Sequence, residues 1–137
     1  MPVKDYEALV NIVTQLRLNP PYQAAEALRR RSGAAAMATA SQGSAELAAI
    51  LLMIGTWERI AIMAKPLNRT QLHTFFRSTP VSLMWEALKP AIDAVGGTAA
   101  FAPEFERLNK SYNSWLNSGA GRDFRSADRQ AVTGLFA

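Results

Sequence analysis

One histidine, eleven carboxylates and two short arginine sets are the side chains of this chain whose types and spacing could do chemistry. His73 could act as a general base, but it needs a nucleophile and an orienting acid within reach. Its neighbours Arg69, Thr70 and Arg77 offer no acid, so it reads as a structural histidine. Glu104 and Glu106 are two apart and point to different sides of a helix. No Glu-x-x-His or Asp-x-Asp spacing occurs, so no metal-ligand set is expected. Cysteine is absent, which excludes disulfides, thiolate nucleophiles, zinc knuckles and iron–sulfur ligation. Gly33-Ala34-Ala35-Ala36 and Gly96-Gly97-Thr98 lack the lysine and the preceding strand of a phosphate-binding loop, and no Gly-x-Ser-x-Gly elbow is present.

Glu58 is the carboxylate with most to say. It interrupts an apolar segment beside Trp57, and it reads either as a hydrogen-bonded or arginine-paired group that fixes helix packing or as a catalytic acid. The catalytic reading requires Glu58 and His73 to converge in one pocket. The missing partners favour the structural role. The chain therefore reads as non-enzymatic, with no catalytic residue, cofactor or metal.

The charge is +4 over 137 residues, a mild lean toward an anionic partner. Arg29-Arg30-Arg31 is the densest cationic run. It could grip phosphate or an acidic protein surface, yet arginines closing a helix are also stabilised by its dipole. Arg122, Arg125 and Arg129 form a second set, interleaved with Asp123 and Asp128, which reads as an ion-paired, solvated tail helix. Nucleic-acid binding would need both sets on one face. Leu135 and Phe136, at the very end of the chain, are expected to dock on their own domain or on another subunit.

These side chains must be positioned by helices. Leu47 to Trp57 hold no charge and one hydroxyl, which predicts a helix buried around its whole circumference at the axis of a bundle. Eleven apolar residues are too few to cross a bilayer, which needs roughly 20. Ser44 caps that helix, which runs to Lys65 before Pro66. A first helix over about 3–18 carries Tyr6, Leu9, Val10, Val13 and Leu16 on one face, and Asn19-Pro20-Pro21 ends it. A second, about 22–31, turns Ala24, Ala25 and Leu28 inward. Residues 33–44 are small and linker-like, read as a partly helical loop. Asn68 with Gln71 resembles a capping box opening a short helix through Phe76. Thr79-Pro80 reads as cap and first-turn proline of a helix burying Val81, Met84, Trp85, Leu88, Ile92 and Val95, with a kink or break at Pro90. A last stripe, Phe101, Phe105, Leu108, Tyr112 and Trp115, ends near Leu116. Ser126 to Phe136 read as one further short helix. Without an alternating β-branched run, the fold class is all-α: a single compact bundle of five to seven helices. The start, MPVKDYEALV, lacks the basic and apolar regions of a signal peptide.

Between Leu51 and Trp115 several segments stand together: Trp57-Glu58-Arg59-Ile60-Ala61, then Leu67 and Phe76, then Leu83-Met84-Trp85 through Leu88-Lys89-Pro90-Ala91-Ile92, and finally Phe105-Glu106-Arg107-Leu108. In these the chain resembles, over about half its length, an uncharacterised bacterial all-helical family, a domain of unknown function. The resemblance implies a helical fold and no activity. Members of that family carry an upstream membrane helix, and this sequence shows no such segment.

The expected function is that of a cytoplasmic, non-enzymatic protein–protein interaction module. It would be an adaptor or an inhibitor, such as a phage- or prophage-encoded protein directed at a large host complex, or a homo-oligomer. Its expected contacts are Arg29, Arg30, Arg31, Arg122, Arg125, Arg129, Leu135 and Phe136. Nucleic-acid binding through the two arginine sets is the alternative.

Overall fold

A computed structural model describes residues 3–118; Arg122, Arg125, Arg129, Leu135, Phe136 and the expected final helix lie outside the described residues. The described chain is all-α. Its helices are α1 (Val3–Gln15), α2 (Pro20–Ser32), α3 (Ala34–Ala38), α4 (Ala45–Ala64), α5 (Arg69–Ser78), α6 (Val81–Val95), α7 (Thr98–Phe101) and α8 (Pro103–Leu116), with a 3-10 turn at Leu16–Leu18. These eight α-helices exceed the expected five to seven because Ala34–Ala38 is itself helical and Ala102 divides the last stripe in two.

The helix ends follow local chemistry. Asn19 Oδ1 accepts from the Tyr22 amide at 2.9 Å, so α2 starts at Pro20, two residues before the expected point. Proline is at home there because a first-turn residue has no helical use for an N–H. Ser44 caps α4 as expected, accepting from the Leu47 amide at 3.1 Å. Asn68 and Gln71 form the reciprocal capping box of α5. The expectation for α6 needs correcting. The cap position is held by Pro80 with no side-chain cap, and the Thr79 hydroxyl is buried without a hydrogen-bond partner. Nor does Pro90 break the helix: it sits on the exposed side above Glu86, so the carbonyl that loses its amide partner is open to water.

The helix α4 packs against α1, α2, α3, α6 and α8. It buries Ile50, Met53, Ile54, Trp57, Ile60, Ala61 and Ala64. The expectation of burial on every side is wrong for this helix. Leu51, Leu52 and Ile62 are 39%, 43% and 51% exposed, because the neighbouring helices cover only one side of it. As a whole, Ala45–Ala64 reaches the length and apolarity of a membrane span, which its central run alone does not, and 44% of its most apolar window is buried inside the protein.

Two aromatic groups knit the core, one at each end of α8. Trp57 stacks on Phe105 at 5.7 Å, and Trp85 meets the same ring edge-on at 5.1 Å. Phe76 of α5 meets Tyr112 edge-on at 5.3 Å and Trp115 at 5.5 Å. Phe101, expected in this stripe, is 40% exposed. The break at Ala102 turns it off the face, and its ring lies over Gly96, where a Cβ would come within 2.7 Å of it. Ala24, expected inward, is exposed, and Tyr22 takes the inward place with Ala25.

The Tyr22 hydroxyl accepts from Trp57 Nε1 at 2.8 Å, the only hydrogen bond α2 makes to the buried indole among the described residues. Burial pushes the Tyr22 phenol well above its ordinary range. Tyr22→Phe keeps the ring and leaves the indole N–H unpaired, which costs about 1–3 kcal/mol. Urea unfolding followed by tryptophan fluorescence should show a lower midpoint with an unchanged slope.

Candidate functional site

Glu58, half-buried at the rim of the covered side of α4, reaches the start of α8. Its Oε1 accepts from the amides of Glu104 at 3.0 Å and Phe105 at 2.8 Å, and Oε2 lies 3.3 Å from the Glu104 amide. This accounts for every free donor of that helix start. Pro103 has no N–H, Glu104 and Phe105 donate to Glu58, and the Glu106 amide donates to the Ala102 carbonyl. Ala102, at the cap position, has no side chain that could do this. A carboxylate at the positive end of the helix dipole is favourable on both counts. Of the two structural alternatives for Glu58, the structure shows the hydrogen-bonded one, with backbone amides rather than an arginine as partners. Lys65 adds a second tie between the helices, its Nζ 3.1 Å from Glu104.

His73 lies at the far end of α8. Its ring is 6.0 Å from that of Trp115 and 6.5 Å from that of Phe76. Ten residues of α8 separate Phe105 from Trp115, about 15 Å along the axis at 1.5 Å per residue. The structure therefore does not bring Glu58 and His73 together. His73 instead lines an open cleft of about 660 Å³ between α5 and α8, with Arg69, Lys110 and three serines. Partial burial, then the charges of Arg69 and Arg77, lower its pKa below the ordinary histidine value. Arg77 extends over the Trp115 ring, its guanidinium carbon 5.8 Å from the ring centre.

Arg29, Arg30 and Arg31 do end α2 together. The run is not a free cationic patch, however. Glu26, almost wholly buried, receives Arg29 Nε at 2.9 Å and Nη2 at 3.1 Å, and Arg30 Nη2 at 3.3 Å. The hydrogen bonds to Glu26 hold the Arg29 guanidinium still further above its ordinary pKa. One carboxylate thus pairs with two of the three guanidiniums and cancels one of their three charges, and Arg31 stays exposed. Glu26 was missed in the sequence, although its position three and four residues before Arg29 and Arg30 is the spacing of helical ion pairs.

The exposed side of α4 was also missed. Ala48, Gly55 and Ile62 follow one another at seven-residue intervals along it, with Leu51 and Leu52 to either side and Arg59 nearby, all exposed. Nothing lies within 4 Å of where a Gly55 Cβ would be. Apart from Arg59 the strip is apolar, and it is exposed along its length. Comparison with protein-family models, with curated proteins and with solved structures finds no match for this chain.

Removing the Glu58 carboxylate leaves two amides of α8 without their acceptor. Glu58→Ala should cost about 2–3 kcal/mol, within the range for hydrogen bonds to a charged group. Glu58→Gln, which keeps one acceptor oxygen, should cost about half as much by the same scale. Chemical denaturation gives both values, and a Glu58→Gln variant as stable as the natural chain would remove the charge from the account.

Proposed function

We propose that the chain is a non-enzymatic protein–protein interaction module, an adaptor or inhibitor working in the cytoplasm, and that it docks through the uncovered side of α4. One observation carries this reading: Leu51, Leu52 and Ile62 stand exposed on the helix that also forms the core. Apolar area removed from water contributes about 25 cal/mol per Å², so a partner covering these side chains gains what the fold itself leaves unused. The small residues Ala48 and Gly55 between the leucines allow a partner's helix to approach closely. Glu58, tied to α8 from within α4, supports a core helix over a membrane span, since inserting α4 into lipid would strip α8 of its cap. The pairing of Glu26 with Arg29 and Arg30, which cancels one of the three charges of that run, weighs against nucleic acid as the primary partner.

The test is capture from a native lysate, with and without nuclease, by the natural chain and by a Leu51→Glu, Leu52→Glu double variant. Both positions are exposed, so each substitution should change stability by no more than about 0.5 kcal/mol. The expected result is a protein partner that survives nuclease and is lost with the variant. A partner retained by the variant would overturn the α4 surface, and recovery abolished by nuclease would overturn the protein-binding reading. Light scattering on both proteins separates a foreign partner from a second copy of the chain.

A further inference from the structure

We propose that the cleft between α5 and α8 binds a small phosphate monoester, its phosphate held by Arg69 and Lys110 and its organic body lying against Leu72 and His73. The charges in this cleft are one-sided. Arg69 and Lys110 line it from facing helices, and among the described residues no carboxylate does. Arg69 makes no ion pair among the described residues, and Lys110 is held only loosely, 3.7 Å from Glu106 on its own helix. Burial first, and then the charges of Arg69 and Arg77, disfavour a proton on His73, so the cations add to what works against further positive charge in the cleft. An anion relieves that repulsion.

The remaining lining narrows the class of anion. Ser111 and Ser114, one turn apart on α8, bring hydroxyls to the same cleft as the two cations. Charged donors together with neutral ones suit a phosphate, which offers three strong acceptor oxygens, better than they suit a carboxylate with two. At about 660 Å³ the cleft has the size of a small-molecule site and is far too roomy for a bare ion. Leu72 and the His73 ring, which is half-buried, give the rest of the ligand an apolar and planar wall. This site shares no residue with the exposed side of α4, so it stands or falls apart from the docking surface.

The chain's single histidine supplies the readout, because one imidazole gives one titrating NMR signal. The groups facing it are Arg69 and Arg77 on its own helix and Lys110 on α8. The full chain is titrated at low salt with adenosine monophosphate and, separately, with inorganic phosphate, and heat of binding is measured alongside. Bound phosphate should move the His73 midpoint upward, toward or past its ordinary value. Adenosine monophosphate should bind at least about tenfold more tightly than inorganic phosphate, as the extra body contacts require. Arg69→Ala and Lys110→Ala, both at exposed positions, should each weaken binding by about tenfold or more while circular dichroism stays unchanged. Absence of heat and of any His73 shift at millimolar ligand would overturn the site. So would binding that is indifferent to both substitutions, and equal affinity for the two probes would overturn the role of Leu72 and His73.

Discussion

A single carboxylate holds the bundle in register. Glu58 is the one acidic group of α4 beyond its first turn, and it satisfies the two amides that α8 cannot satisfy itself. Because the bond comes from another helix, it serves as a cap and as a joint at once. It sets where α8 begins relative to α4, and so brings Phe105 onto Trp57 and Trp85. Ten residues further on, the same helix delivers Tyr112 and Trp115 to Phe76. Displacing the start of α8 would shift both aromatic groups together.

This arrangement explains how a helix as apolar as α4 carries a charge in its middle. An unpaired carboxylate at a half-buried place would lose its hydration without return. Backbone amides at a helix start are fixed donors aligned with a dipole, and they replace that hydration with little reordering. Lys65 and Glu104 extend the joint outward with an ion pair at the exposed rim, where such pairs contribute little on their own. The segments around Trp57-Glu58, Trp85 and Phe105 meet at this joint.

Much of the architecture was legible because local chemistry and tertiary packing agree. The caps at Ser44 and Asn68, the stop at Asn19-Pro20 and the stripes over α6 and α8 are written in short-range patterns. The misreadings share a cause: a partner distant in sequence decided the outcome. Thr79 could cap α6 in isolation, yet the chain turns it into the interior. Phe101 fits the stripe of α8 only if the helix is continuous through Ala102. The Glu58 bond had a trace in the sequence, since Ala102-Pro103 opens a helix with no capping side chain and calls for an acceptor from elsewhere. Within the uncharged run Leu47–Trp57 nothing comparable marks which side stays open, because a pattern without charged positions carries little direction; Arg59, just beyond it, is the one charge on the open side.

That last point bears on function. Selection for a stable bundle alone would accept polar side chains at Leu51, Leu52 and Ile62, where each is 39% exposed or more. Polar residues there would also lower the hazard of unwanted association. The α5–α8 cleft departs from the fold's needs in the opposite sense, gathering cations where a paired surface would be more comfortable. Core residues are explained by packing, and the caps by unsatisfied amides. An apolar strip and a cleft lined by cations are explained by neither, and residues in excess of what folding requires are where the activity of this chain should be sought.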